Sequence, residues 1–461
     1  MSTVKVSGNN DGSGRPPVEL ATTTNCPEGA NLRELSEPVP GVVVIFSDGC
    51  AAHRVIRVEG GSIELGRLEL SGGEYISRKH VRLAFDGVEW QVTDLRSRNG
   101  TFVKASLISG ETRAPSGSLV RLGGVVLLLM ADVVPFERHG LGVRDNVVGG
   151  PLLRAALESI ARTCRVGMVS SLLITGESGT GKEIAARTFH ALGPKPNAPF
   201  AAVNCAAIPK ELAERLLFGA QRGAFSGATD AQGHVQAANG GTLFLDEIAE
   251  LAPDVQSKLL RMLETREVLR LGATRYEPVD VRVCAATLRN LREEVGAGRF
   301  RQDLYFRIAQ GEVSLPPLRR RIEEIPWHVQ QILDECGKES PLAATAAFVE
   351  ACALRRWPGN VRELRAEVRR AAAAAAGAGS NTLSADDLGT TAGKAMISAP
   401  PPPSSARFPD DEFAAALTAE QGNVVNAARR LGVHRNKVRR WLERHEVEAR
   451  RFKSTGRTRP S

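Results

Sequence analysis

The hydrophobic rhythm of the chain changes from segment to segment. Residues 1–40 are rich in Gly, Ser, Thr, Asn and Pro and show no apolar periodicity. Such a composition buries too little apolar surface to offset chain ordering, which predicts a disordered tail. Across 41–135, short apolar runs (VVVIF, HRVIRV, SIELG, VEWQVTDL, TFVKA and VVLLLM) are separated by Gly-containing turns, a spacing that predicts an all-β sandwich. A Gly- and charge-containing connector follows at 137–146. From 146 to 377, strand-length apolar runs (SSLLIT, TLFLD, VRVCAAT) alternate with helical stretches such as VQSKLLRMLE, the pattern of a parallel α/β sheet. Residues 378–408, with four consecutive prolines at 400–403, predict an extended linker. Residues 409–450 read as an all-helical domain, and 451–461 as a basic tail.

Composition narrows this picture little. A length of 461 residues exceeds one compact core, so several folded domains are expected. The longest apolar run, at 125–130, is far too short to span a bilayer, and no signal-peptide pattern opens the sequence. The expectation is a cytoplasmic protein with no membrane partner. The seven cysteines are scattered without C-x-x-C spacing, so neither a disulfide framework nor a zinc site is expected. Charge is more informative. Residues 429–459 hold twelve basic and three acidic residues, a local +9 that leaves −1 for the rest of the +8 chain. Basic charge gathered at one end suggests a nucleic-acid contact there.

The chemistry begins with GESGTGKE at 176–183, which follows the strand SSLLIT and precedes a helix. Glycines let successive N–H groups face a polyphosphate at the positive end of the helix dipole. Gly176, Glu177, Ser178, Gly179, Thr180, Gly181, Lys182 and Glu183 form this expected ATP cradle, with Lys182 reaching the β- and γ-phosphates. Glu183 stands where phosphate loops commonly carry the hydroxyl that binds Mg²⁺, so the metal must lean on a downstream carboxylate and on water. GGTLFLDE supplies one at a strand end. Asp246 suits the metal, and Glu247 suits orienting and deprotonating a water.

GESGTGKE, FGAQRGAFSGA (218–228), GGTLFLDE, FRQDLYFRI, LPPLRRR and WPGNVREL occur in this order over about half the chain. Together they resemble the AAA+ domain of bacterial enhancer-binding proteins, the ATP-driven activators of sigma-54 RNA polymerase. The glutamate at 183 is usual in that family. The resemblance implies that Gly223, Ala224, Phe225, Ser226, Gly227 and Ala228 form the loop that grips sigma-54. It implies that Arg301 and Arg307 are arginine fingers supplied to a neighbouring subunit of a hexamer. It also makes Arg362 the nucleotide-sensing arginine of a helical lid, and Asn204 the residue that restrains Glu247. Three positions depart from the family pattern: Ser226 replaces Thr, Ala220 replaces a common His, and Leu288 stands where the sensor strand usually carries Asn.

Two further segments carry resemblances. In GNVVNAARRLGVHRNKVRRWLERH, small Ala427 and Ala428 allow close helix crossing, and Val424, Leu431, Val438, Trp441 and Leu442 supply a core. Arg435, Asn436, Lys437, Arg439 and Arg440 are left for DNA. This is similar to the Fis-type helix-turn-helix. In the β-rich front, Gly66-Arg67, Ser77-Arg78-Lys79-His80 and Asn99-Gly100-Thr101 resemble the forkhead-associated (FHA) domain, a phosphothreonine reader. Arg67, Ser77 and Arg78 would bind phosphate, and Asn99 the peptide backbone. The ligand is expected to be a phosphothreonine protein or kinase, or one of Thr22, Thr23 and Thr24 in the chain's own tail.

The expected function is a sigma-54-dependent activator that binds upstream DNA and assembles as a hexameric ring. It uses ATP and Mg²⁺ to remodel the polymerase under phosphothreonine control. The alternative is a DNA- and phosphopeptide-binding regulator whose AAA+ domain binds nucleotide with little turnover, a reading that Leu288 favours.

Overall fold

The computed structural model describes residues 37–70, 74–166, 169–224, 229–337, 341–395, 410–431, 435–445 and 447. The expected tail at 1–40 therefore lies almost wholly outside the described residues, and so do Thr22, Thr23, Thr24, the 400–403 prolines and the basic tail. The chain divides into two compact units, residues 1–394 and 395–461.

The first unit opens with a β-sandwich. Its strands are β1 (Gly41–Ser47), β2 (Cys50–Arg57), β3 (Ser62–Leu65), β4 (Val81–Phe85), β5 (Glu89–Asp94), β6 (Thr101–Val103), β7 (Ser106–Leu107), β8 (Glu111–Pro115), β9 (Leu119–Leu122) and β10 (Val125–Met130), with a helical turn α1 (Arg67–Leu70) after β3. One sheet runs β2-β1-β10-β9-β6-β7 and the other β3-β4-β5-β8, with antiparallel pairing throughout. Val42, Val44, Leu83, Trp90, Val92, Val120 and Leu127 interdigitate between the sheets.

The connector expected at 137–146 is ordered structure rather than a linker. It holds α2 (Val134–His139) and the hairpin β11 (Gly142–Arg144) with β12 (Val147–Gly149). Phe136, just before the segment, and Leu141 within it are buried, so apolar anchors at its start and middle fix a stretch of otherwise polar composition.

The α/β region follows with α3 (Pro151–Val166), β13 (Ser171–Thr175), α4 (Lys182–Ala191), β14 (Phe200–Asn204), α5 (Lys210–Phe218), α6 (His234–Ala237), β15 (Thr242–Asp246), α7 (Pro253–Thr265), β16 (Glu267–Val268), β17 (Glu277–Pro278), β18 (Arg282–Thr287), α8 (Leu291–Gly296), α9 (Gln302–Ile308) and β19 (Gly311–Ser314). The parallel sheet runs β14-β15-β18-β13-β19. Its strands read as continuous apolar runs because both faces are covered. Leu173, Leu243, Leu245, Val283 and Ala285 enter one core, while Leu172, Ile174, Phe244, Cys284 and Ala286 enter the other.

A helical subdomain closes the first unit: α10 (Ile325–Cys336), α11 (Ala346–Ala353) and α12 (Asn360–Gly377). It extends beyond the boundary expected at 377. Thr382–Leu383 pairs in parallel with Ala343–Ala344, and Leu383 and Leu388 are buried in the subdomain's core. The first part of the linker expected over 378–408 is therefore packed structure. Two isolated leucines leave no periodicity to read.

The second unit contains α13 (Asp410–Ala419), α14 (Val424–Arg430) and α15 (Arg435–Arg444) around Phe413, Leu417, Ala427, Ala428, Val438, Trp441 and Leu442. Among the described residues no helix is long and apolar enough to cross a membrane.

Candidate functional site

Parallel strands bring their carboxyl ends to one edge of the sheet, where a crevice forms. Here β13 ends in the Gly-rich loop and β15 ends at Asp246, with Asn204 of β14 in register beside Asp246. These residues line a cleft of about 760 Å³ that also touches Ser178 to Glu183, Glu247, Val147, Arg321, His328, Arg362 and Arg365. Gly179 has φ +75°, and a Cβ there would lie 2.4 Å from the Gly359 carbonyl oxygen. Only glycine tolerates both the left-handed conformation and that approach. Gly181, at φ +102°, caps α4, whose first residue is Lys182.

Lys182 is buried. Its Nζ donates to the Gly176 carbonyl at 3.1 Å and to Glu247 Oε1 at 3.1 Å. Glu247 has φ 53°, uncommon for a non-glycine residue and found where surrounding contacts over-determine the backbone. Two contacts do so here: its own N–H donates to Asp246 Oδ1 at 3.1 Å, and its Oε2 accepts from the Leu288 N–H at 3.1 Å. Burial raises the Asp246 carboxyl above the usual range, and the neighbouring Glu247 adds to this while Lys182 opposes it. Glu183 pairs with Arg187 at 2.7 Å on the exposed side of α4.

The helical subdomain grips the same loop. Arg319 binds Glu177 through two contacts of 2.7 Å, and that hydrogen-bonded pairing holds the Glu177 carboxyl below the usual range. Arg362 Nη1 donates to Ser178 Oγ at 3.0 Å. Fully buried Asn360, at φ 51°, is the hub. Its Nδ2 donates to Glu177 Oε2 at 3.1 Å and to the Ser178 carbonyl at 2.9 Å, while its Oδ1 accepts from Leu318 N–H at 2.7 Å. Arg321, also buried, donates to the Thr180 carbonyl at 2.9 Å and to Glu324 at 2.8 Å. Sequence reasoning singled out Arg362 in WPGNVREL but missed Asn360 and Arg321. The polar residues interrupting LPPLRRR and WPGNVREL were the available signal.

The other expected site residues lie elsewhere or make different contacts. Asn204 lines the cleft, but its Oδ1 accepts from Ala206 N–H at 3.0 Å, and no hydrogen bond to Glu247 occurs among the described residues. Arg301 is paired with Asp303 at 2.7 Å, and Arg307 donates to the Leu263 carbonyl at 2.9 Å; neither lines this chain's own cleft. Of the expected grip loop, Gly223 (exposed) and Ala224 are described, while Phe225, Ser226, Gly227 and Ala228 lie outside the described residues. The base of that loop is tied by the Ala220–Ala231 bridge and by Arg222 N–H donating to Asp230 at 3.0 Å. The Leu288 side chain is exposed and lines a second cleft with Arg289, Arg292 and Arg319.

In the sandwich, the β3–β4 and β5–β6 loops meet. Asn99 Nδ2 donates to the Tyr75 carbonyl at 2.8 Å, and Ser77 Oγ accepts from Arg98 N–H at 3.0 Å. Arg67 Nε donates to the Ile76 carbonyl at 2.9 Å. Buried His80 bridges Ser77 N–H at 3.2 Å and the Gly100 carbonyl at 3.1 Å, and burial lowers its pKa. A Cβ on Gly66 would stand 1.9 Å from the Arg78 carbonyl oxygen, so glycine permits this loop crossing. The Arg78 side chain is exposed. In the second unit, Arg435 and Arg439 are exposed on α15; the side chains of Asn436, Lys437 and Arg440 lie outside the described residues.

The fold and cleft define an α/β protein of the P-loop class. Residues 150–314 match the Sigma-54 interaction domain, residues 61–123 the FHA domain and residues 319–402 the AAA+ ATPase lid domain. The chain is 40% identical over 300 residues to the transcriptional regulatory protein ZraR of Klebsiella oxytoca, spanning 64% of this chain and 67% of that one. It is 42% identical over 239 residues to the Nif-specific regulatory protein of Azotobacter vinelandii, 51% of this chain and 45% of that one. Among solved structures it is similar to NtrX from Brucella abortus in complex with ATP, with 30% identity and a TM-score of 0.49 over 66% of this chain and 70% of that one. The chain belongs to the sigma-54-dependent activator family and carries an FHA domain ahead of its AAA+ domain. It spans two thirds of the length of ZraR and less than half of the Nif-specific regulator.

Proposed function

We propose that this protein is an ATP-driven transcription activator that remodels sigma-54 RNA polymerase, assembles as a hexameric ring, binds upstream DNA and takes its input from a phosphothreonine. The observation that carries the ATPase reading is the Lys182–Glu247 contact at 3.1 Å in the cleft. A phosphate arriving at the Gly-rich loop competes with Glu247 for the Lys182 ammonium. Once Lys182 turns to phosphate, the Glu247 carboxylate keeps its Leu288 N–H contact, and its freed oxygen can orient and deprotonate water. Asp246 is the protein carboxylate suited to Mg²⁺, with phosphate oxygens and water completing the shell, as is usual for this ion. The bound ion would neutralise charge developing on the phosphates. Arg362 reaches the loop from the lid and reports its state. Arg301 and Arg307 lie away from their own cleft, which supports their supply to a neighbour.

The 223–228 loop is assigned to sigma-54 by its sequence, and its base is tied by the bridges from Ala220 to Ala231 and Leu271. In the second unit, Arg435 and Arg439 are exposed one turn apart on α15, a helix held in place by Val438, Trp441 and Leu442 in the unit's core, an arrangement suited to a DNA groove. Asn436, Lys437 and Arg440 join them by sequence. In the FHA domain, Arg67, Ser77 and Asn99 lie on adjoining loops, and exposed Arg78 adds charge for a phosphate dianion.

The test is ATP turnover and open-complex formation by the full chain with purified sigma-54 polymerase. Glu247→Gln should retain nucleotide but lose turnover by roughly 10²-fold or more. A second reading, a nucleotide-binding regulator with little turnover, is favoured by Leu288, which meets Glu247 through its backbone alone. Tight nucleotide binding without hydrolysis or polymerase activation would decide for it.

A further inference from the structure

An antiparallel sandwich that stands free reads as alternating apolar and polar positions, because one face of each sheet is wet. Strand β1 does not alternate: Gly41 to Phe46 are all buried. Val42 and Val44 enter the sandwich's own core. Val43, Ile45 and Phe46 enter a different one, shared with Ile325, Val329 and Ile332 of α10, Phe348, Val349 and Cys352 of α11, and Trp357. Strand β10 divides the same way, with Leu127 and Leu129 facing inward and Val126 and Leu128 facing the lid. The outer face of the FHA sheet is thus a wall of the lid's hydrophobic core.

A buried carboxylate spans that boundary. Glu350 of α11 is 1% exposed, yet its carboxylate accepts from the FHA domain: from Arg121 Nε of β9 at 2.6 Å and from the Ala105 N–H at 2.8 Å. Arg121 in turn lies over the Phe102 ring at 3.8 Å. Ala105 sits in the tight turn between β6 and β7, and β6 begins two residues after Asn99. In the other direction, α11 accepts a 2.7 Å bond from Trp357 Nε1 at the Cys352 carbonyl. Trp357 opens the turn that presents Asn360 and Arg362 to the Gly-rich loop. Each contact is short and buried or part-buried, so displacement at one end must be accommodated at the next.

We propose that the FHA domain is a fixed layer of the lid rather than a tethered module, and that Glu350 couples the Asn99 loop to the Asn360–Arg362 turn. The proposal rests on reading the cleft as a nucleotide site. Coupling of this kind is reciprocal: a phosphothreonine ligand that moves the Asn99 loop alters nucleotide affinity, and nucleotide alters the Asn99 loop.

Reciprocity allows a test in which nucleotide is the only probe. Hydrogen exchange is measured on the full chain with and without ATPγS, for wild type, Glu350→Gln and Arg121→Ala. In wild type, nucleotide should slow exchange at 176–182 and change exchange at 97–107 by at least ~5-fold, the lower end of ordinary couplings. Both variants should keep the response at 176–182 and lose most of the response at 97–107. Should Glu350→Gln fail to fold, Arg121→Ala and Arg121→Lys carry the comparison from the FHA side. The proposal is overturned if 97–107 is silent while 176–182 responds, or if its response persists in the variants. Silence at 176–182 as well refutes the nucleotide reading, and the proposal falls with it.

Discussion

Replacing Asn360 with Ala isolates the hub that joins lid to Gly-rich loop. The side chain is fully buried and makes bonds of 2.7, 2.9 and 3.1 Å to Leu318 N–H, the Ser178 carbonyl and Glu177. Truncation leaves the Leu318 N–H without its acceptor beside a buried side chain, at a cost of about 1–3 kcal/mol. The lost bond to the Glu177 carboxylate removes about 1.5–3 kcal/mol more, being charge-assisted. The φ of 51° at this position, tolerated by Asn, costs Ala about 1–2 kcal/mol. These effects share one site and are not additive, so a net loss of about 3–5 kcal/mol in local docking is expected. Because the chain holds two compact units, global melting is a poor probe. The Leu318 amide reports directly: every 1.4 kcal/mol is tenfold, so its exchange should accelerate roughly a hundredfold or more. Asn360→Asp keeps an acceptor for Leu318 but sets a second carboxylate against Glu177, so it should protect Leu318 better than Ala while loosening Glu177. Leu318 exchange within threefold of wild type in Asn360→Ala would refute the reasoning.

Three further outcomes follow from single contacts. Burial, reinforced by neighbouring Glu324, pushes the Glu323 carboxyl up to about 8. The unfolded chain therefore releases that proton at lower pH than the fold does, and stability falls as pH rises from about 5 to 8. Glu323→Gln has no proton to lose, so its Tm should decline less over this window; parallel slopes for both proteins would sink the idea. Gly66→Ala forces a Cβ against the Arg78 carbonyl oxygen and should cost the sandwich about 1–3 kcal/mol, read as faster hydrogen exchange at 81–94. Because burial holds Asp246 protonated to higher pH than an ordinary aspartate in the metal-free protein, Mg²⁺ must compete with that proton, so Mg²⁺ affinity should begin to weaken on acidification at higher pH than at an ordinary aspartate; weakening that sets in only at the ordinary value speaks against this.

Much of the cleft was legible in the sequence because the chemistry there is local. A phosphate cradle needs glycines and a lysine within eight consecutive residues, so GESGTGKE carries its own reading. Asp246 and Glu247 close an apolar strand that can only be a covered one. Asn360 and Arg321 were not legible in this way, because a buried polar side chain looks in sequence like any exposed one. What distinguishes them is the set of backbone groups they satisfy, contributed by residues up to 182 positions away.

The sequence by itself pointed to the β-rich front ahead of the α/β region, to the Gly-rich loop with its paired carboxylates, and to the strand runs of the sandwich and the parallel sheet, since each depends on neighbours a few residues apart. The tertiary structure alone decided three things. The connector at 137–146 and the start of the linker after 377 became packed structure, because Phe136, Leu141, Leu383 and Leu388 found partners. Asn204 turned its side chain to Ala206 rather than Glu247. The FHA sheet became a wall of the lid. In sequence VVVIF and VVLLLM read only as strands of a sandwich; that their second face is also covered, and by the lid, came from packing. A hydrophobic pattern records that a surface leaves water, and only the folded chain supplies the surface that meets it.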